Sequence, residues 1–289
     1  MKLNRLLPKR MRKDGPFIPV VRLQGPIMSG GTRFSQPLSL ATCAPLIEKA
    51  FADKDAPAVA FIVNSPGGSP VQSRLIHQRI RSLADEKGKP VLMFTEDVAA
   101  SGGYMIAVAG DEIVADPSSI IGSIGVISAG FGFVEAIDKL GVERRVYTAG
   151  KNKSVLDPFQ PEKKEDVERL KSIQLEIHQI FIDLVNDRRG DRLKDNPELF
   201  TGAFWAGEKA RELGLVDHVG DIRAFVKQRF GEKAELRAIT PQRNIFGRKS
   251  AAGVNVVSAN LDPAALAHAA TDGLLAAIEE RALWGRFGL

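Results

Sequence analysis

Cysteine is almost missing: Cys43 is the only one in 289 residues. A single thiol excludes an intramolecular disulfide framework and a cysteine-built metal site, and it fits a reducing compartment. Long apolar runs are missing as well. After Met1 only Leu6 and Leu7 adjoin before Pro8 and further charge, so the apolar centre of a secretory signal is absent. The stretch 117–134, one of the two longest without charge, approaches the length of a membrane span. It is broken by Gly122, Gly125, Gly130 and Gly132, with Ser118, Ser119, Ser123 and Ser128 between them, so it reads as turns and buried strands. Charge of one sign is also lacking. Lys plus Arg is 40 against 35 for Asp plus Glu, a net of +5, and Lys2, Arg5, Lys9, Arg10, Arg12 and Lys13 supply much of it. The rest is near neutral, with no basic run interleaved with aromatics, which argues against nucleic acid as a partner. The expectation is a cytoplasmic chain with peripheral membrane contact at most.

What is present is ordinary for a folded protein: 44% hydrophobic and 26% charged residues. A chain of this length buries roughly three quarters of its unfolded surface. Ile18–Leu23, Ala58–Val63 and Pro90–Thr95 are β-branched or continuous apolar runs, as buried strands require. Helical spacing occupies Leu38–Phe51 and Val71–Leu83 between them. Strand, glycine-rich turn, helix and strand is the grammar of right-handed βαβ units, hence an α/β fold. Gly103–Ala109 predicts a buried helix, Ile113 a strand, Phe133–Leu140 a helix ended by Gly141, and Arg144–Thr148 a strand. Pro161–Arg189 predicts a long helix with Leu170, Ile173, Ile177, Ile180 and Leu184 as its apolar seam. Gly207–Leu213 predicts a short helix closed by Gly214. The organisation that follows is a basic tail over 1–16, a main domain over 17–239, a linker over 240–260 and a C-terminal helix over 261–289. Trp284 and Phe287 are that helix's expected anchors on a neighbouring subunit.

Two turns carry the chemistry. Asn64-Ser65-Pro66-Gly67-Gly68 and Ala99-Ala100-Ser101-Gly102-Gly103-Tyr104 each follow a buried strand. In the second, a serine stands between small residues at a helix mouth, and main-chain N–H groups of both turns can meet an oxyanion. A serine needs a base. The histidines are His77, His178, His218 and His268, so none lies between positions 78 and 177. The nucleophile-elbow pattern is absent too, since Ala99 stands where its first glycine belongs. Lysine is the alternative. Lys151 and Lys153 lie in one loop after the Arg144–Thr148 strand. A lysine base must be neutral, which requires lowering its pKa from about 10.4 to 7–8, and desolvation can supply that.

Asn64-Ser65-Pro66-Gly67-Gly68, Ala99–Tyr104, Ile121-Gly122-Ser123-Ile124-Gly125-Val126, Lys153-Ser154 with Pro158-Phe159, and Gly207–Asp217 occur in an order that resembles the signal peptide peptidase A, protease IV and SohB-like serine–lysine peptidases. The resemblance spans about Ile18 to Phe230. It implies a Clp protease/crotonase-like fold of stacked βαβ units and a serine endopeptidase acting on hydrophobic peptides, remnant signal peptides included. It implies Ser101 as nucleophile, Lys153 as general base and Ser123 as the hydroxyl that holds the lysine. It further implies Gly68 and Gly102 as oxyanion donors, and Ser65, Gly67, Gly122 and Ile124 as substrate contacts. No cofactor and no metal are expected. The implied partners are peptide substrates and further copies of the chain, in a ring whose dyad is shared between protomers. Two other functions stay open on the same scaffold: a crotonase-like acyl-CoA enzyme, and a non-catalytic peptide-binding ring.

Overall fold

The computed structural model describes residues 15–30, 37–150, 152–240 and 281–289. Residues 1–14 of the expected 1–16 tail, 241–260 of the expected 240–260 linker and 261–280 of the expected 261–289 helix lie outside the described residues. Among the described residues eight strands form one sheet: β1 (Phe17–Gln24), β2 (Val59–Ser65), β3 (Val91–Ala100), β4 (Glu112–Ala115), β5 (Ile120–Gly122), β6 (Phe204–Ala206), β7 (His218–Val219) and β8 (Glu235–Ala238). All pairings are parallel except β5 with β6. The mixed α/β fold with a mostly parallel sheet is therefore as expected.

Alternation along the strands sorts the core into two faces. Val21, Leu23, Val59, Phe61, Val63, Val91 and Met93 point to one face. There they meet α1 (Leu40–Phe51), α2 (Pro70–Lys87) and α3 (Gly102–Ala107). Ile18, Val20, Ala58, Ala60, Leu92 and Phe94 point to the other, where α7 (Ile222–Phe230) covers them through Val226. Both faces are dry, which is why these strands read as continuous apolar runs rather than alternating ones.

β3 positions everything that follows. Its first half, Leu92–Thr95, pairs with β4, and its last three residues pair with β5 on the same edge. Between the two partners its register to β2 also shifts, at Val63/Ser65. Asn64 spans the irregularity: its side-chain amide donates to Asp97 at 2.6 Å, and its oxygen accepts the Val98 N–H at 3.2 Å.

Two expectations change. Arg144–Thr148 forms no strand; it is irregular backbone within an arm, 125–163, in which no described residue is buried. α4 (Val134–Lys139) and the stacked rings of Phe133 and Phe159 organise that arm on itself. The long helix α5 (Lys164–Arg189) docks only through its C-terminal half, burying Phe181, Val185 and Arg189. Ile173 and Ile180 of the expected seam are half exposed, so the buried stripe of α5 runs through Phe181, Val185 and Arg189 instead.

Asp217, on the segment after α6 (Gly207–Glu212), ties this half to the core. It accepts from buried Arg189 at 2.8 Å and from the Ile113 N–H at 2.8 Å. Burial works against its charge, yet the Arg189 guanidinium holds the carboxyl below its ordinary value.

Candidate active site

Ser101 stands between β3 and α3 with φ of +52°, a left-handed conformation that costs a non-glycine residue energy. The sheet enforces it: the Ser101 N–H donates to the Gly122 carbonyl at 2.8 Å, extending the β3–β5 ladder to the nucleophile candidate itself. That bond occupies the serine's own amide. Any main-chain donor free to meet a ligand at this site must therefore be a neighbouring N–H group.

Two such groups are close. A methyl placed on Gly67 would stand 2.8 Å from Ser101 Cβ and 2.9 Å from the Gly102 nitrogen, and one placed on Gly102 would stand 3.4 Å from the Gly68 nitrogen. Gly67 and Gly68 have φ of +103° and +136°, and a methyl on Gly68 would overlap the Ile27 carbonyl. Only glycine lets the first turn press against the second. Among the described residues neither the Gly68 nor the Gly102 N–H donates to a protein acceptor. Two unused donors beside one strained serine are the elements of an oxyanion site.

Other expected contacts sit elsewhere. Ser65 is fully buried, and its hydroxyl accepts the Gly67 N–H at 3.2 Å, so it shapes the turn; it is not among the residues that line the cleft beside Ser101. Ile124 is buried in the core and its carbonyl accepts from His178 at 3.1 Å. The next residues, Gly125, Val126 and Ile127, reach the cleft instead. Ser123 is buried with φ of +53°, its N–H donating to the Ala203 carbonyl at 2.7 Å. Gly122 contributes its carbonyl to Ser101.

The cleft beside Ser101 has a volume of about 230 Å³. Met105, Ile177 and Phe181 make its apolar floor, and Leu283 with Arg286 one side. Ile177 belongs to the expected seam. Phe181, four residues on, is one helical turn away and was detectable by the same spacing. Lys153 is exposed in a turn, 152–156, and is not among the residues that line this cleft. Lys151 lies outside the described residues.

His77 and Cys43 are accounted for without chemistry. His77 Nδ1–H donates to the Met105 carbonyl at 3.0 Å, bolting α2 to α3, and burial lowers its pKa to about 4. Burial pushes the Cys43 thiol up to about 12. A histidine depressed in the fold stabilises it fully above the unfolded value of about 6.5, and that stability is lost as pH falls towards 4. The difference amounts to ~3 kcal/mol. The urea midpoint is expected to drop between pH 7 and pH 4.5, and His77→Gln to flatten that drop. An unchanged slope in the variant would assign the acid sensitivity elsewhere.

The family model described as Peptidase family S49 matches residues 84–237, more than half of the chain. The chain belongs to peptidase family S49. A Synechocystis protein named as a protease is 31% identical to this S49 chain over 206 residues, which is 69% of this chain and 74% of that protein. Protease 4 of Haemophilus influenzae is 32% identical over 214 residues, 73% of this chain and 34% of that protein. A protein of Brucella abortus named Na(+)/H(+) antiporter NhaA is 60% identical over 287 residues, 99% of this chain. The S49 chain spans 39% of the length of that Brucella protein. Among the described residues no helix is long and apolar enough to cross a membrane, and no three or more His, Cys, Asp or Glu side chains are grouped as a metal ion would need.

Proposed function

We propose that this S49 chain hydrolyses peptide bonds through an acyl-enzyme formed on Ser101, with a lysine as base. One observation carries the reading: a strained serine adjoins two glycine N–H groups that no described residue uses. Ser101 Oγ attacks the peptide carbonyl and its proton passes to the Lys153 amine. The oxyanion takes hydrogen bonds from Gly68 and Gly102. The tetrahedral adduct collapses, the lysine gives its proton to the leaving amine, and an ester to Ser101 remains. Water attacks the ester and loses a proton to the lysine. The acid product leaves as Oγ regains that proton.

Lys153 is proposed to act on the Ser101 of a neighbouring protomer in a homo-oligomer. Its arm supports this. Phe131 is 83% exposed and Tyr147 91%, and Leu140 and Val142 are also exposed, an apolar surface that suits contact with another copy. Ser123 is proposed to orient the amine. The apolar cleft floor supports hydrophobic peptides as substrates, and remnant signal peptides fall within that class. A cytoplasmic setting is part of the same proposal, supported by the single buried thiol.

Mixing two inactive variants tests the shared dyad. Ser101→Ala protomers keep the lysine and Lys153→Met protomers keep the serine. Mixed oligomers, unfolded and reassembled together, are expected to regain roughly a quarter to a half of wild-type hydrolysis of a hydrophobic peptide. Failure to regain any, with mixed assemblies shown by mass spectrometry, would place the base within one chain.

Gly68→Ala is expected to lower kcat by about 10²–10³-fold, the effect of one lost oxyanion donor. The added methyl must displace the turn from Ile27. Steady-state kinetics on the same peptide check it, and a kcat within threefold of wild type would remove Gly68 from the site.

A further inference from the structure

The cleft next to Ser101 is walled on one side by the chain's own last residues. Residues 281–285 are helical. Phe287 is buried, packed with Val98 and Ala100, with Ile120 and Trp284 at its margin. Its ring stands edge-on to Phe204, with centroids 5.2 Å apart. These anchors, expected to seat on a neighbouring subunit, thus pack on the β3–β5–β6 corner of the same chain. Ala100 directly precedes Ser101, so the segment is fastened one residue from the reacting hydroxyl. From that anchorage Leu283 and Arg286 reach the cleft.

Arg286 differs in kind from everything else there. The remaining lining residues are apolar side chains, glycines and prolines, together with Ser101, so Arg286 is the one ionisable group among the described residues that line the cleft. Its recorded contact is with the face of the adjoining Phe287 ring, 5.7 Å from guanidinium carbon to centroid. No carboxylate among the described residues pairs with it. A guanidinium keeps its charge at every working pH and matches a carboxylate with two parallel N–H donors. Arg286 is exposed at the rim of the cleft, so its selectivity for a carboxylate comes from this paired-donor geometry rather than from burial.

We propose that residues 281–289 form a fixed wall of the substrate cleft, and that Arg286 reads a carboxylate on the peptide close to the bond presented to Ser101. The apolar floor accepts side chains by size and cannot set register along the peptide by itself. One ion pair at the rim supplies that register. The carboxylate belongs either to an Asp or Glu side chain or to the free C-terminus of a short peptide. The proposal rests on Ser101 as the nucleophile.

Three peptides with the same hydrophobic centre separate the cases, each cleaved by the full-length protein and followed by mass spectrometry. One is neutral and amidated. One carries a free C-terminal carboxylate two residues beyond the scissile bond. One is amidated with Glu at that position. A carboxylate-bearing peptide is expected to be cleaved with a kcat/KM about 10–100-fold above the neutral one, the range for a hydrogen bond to a charged group. Preference for the free acid alone identifies an end-reader; preference for the Glu peptide identifies a side-chain reader. Arg286→Ala is expected to bring the ratio to about one, chiefly through KM. Arg286→Glu is expected to reverse it, favouring a Lys-bearing peptide, which no purely structural role for Arg286 would do. Equal kcat/KM for all three peptides in the wild type, or a preference that survives Arg286→Ala, overturns the proposal. A fluorophosphonate probe keeps the two readings apart. Labelling of Ser101 and turnover without carboxylate preference overturn this proposal alone, whereas absence of both in the wild type removes the nucleophile and this proposal with it.

Discussion

Ser101→Ala is expected to abolish peptide hydrolysis, lowering kcat by about 10⁴–10⁶-fold, and to eliminate fluorophosphonate labelling of the protein. The size follows from the mechanism: without Oγ no ester forms, and only binding and the two glycine donors remain to assist water. The substitution is mild elsewhere. Alanine fits where serine stood, and the backbone keeps its φ of +52° because the Ser101 N–H to Gly122 bond involves no side chain. Circular dichroism and the thermal midpoint should therefore match the wild type closely. The same variant separates the alternatives. An acyl-CoA enzyme using Gly68 and Gly102 as its oxyanion donors needs no serine and would keep its turnover in Ser101→Ala. A peptide-binding ring would show no turnover to lose. Retention of more than about a tenth of wild-type hydrolysis would end the nucleophile assignment.

Lys153→Arg is the second large effect, about 10³-fold or more in kcat, within the range for removing a general acid–base group. The replacement keeps positive charge and length, so a lysine that merely attracted substrate would be served nearly as well by arginine. A base would not, because a guanidinium does not give up its proton in a protein. The contrast with Lys153→Met is informative: both should fail alike if proton transfer is the role, whereas Arg should outperform Met if charge is. In the wild type, hydrolysis should rise with pH from neutral into the mildly alkaline range, as a base that works unprotonated requires. A flat profile across that range, or full activity in Lys153→Arg, would move the base to another group. Because Lys153 is exposed in the single chain, both measurements belong to the assembled protein at concentrations where the oligomer persists.

The main domain was legible where pattern and length coincide. β1, β2 and the first half of β3 are apolar enough to be read directly. α1 and α2 show helical spacing, and the two glycine-rich turns stand out by composition. The short strands β5, β6 and β7 hold two or three residues each, too few for any period to register. The last part of β3 hides behind Glu96 and Asp97, polar residues that look like a strand's end and are instead the place where one partner strand gives way to the next. Ser101, Gly67, Gly68 and Gly102 could be singled out because glycine and serine at a helix mouth carry a physical meaning of their own. Ser65 and Ile124 could not be assigned a side, since the register shift at Val63/Ser65 and the turn at Ser123 decide which way they face. The cleft's walls come from α5 and from residues 281–289, distant segments whose convergence no local pattern encodes.

The changeover on β3 has a consequence for how this scaffold tolerates added residues. Asp116–Ser119, which joins β4 to β5, must advance the chain from one stretch of β3 to the next along a single edge. The Ser119 hydroxyl is spent there, capping the Thr95 and Glu96 carbonyls left over where the two ladders meet. One extra residue in that link would shift β5, and with it the carbonyl on which the reactive serine hangs. The arm over 125–163 buries nothing and is under no such constraint. Related chains can therefore be expected to vary in length there while keeping the short link fixed.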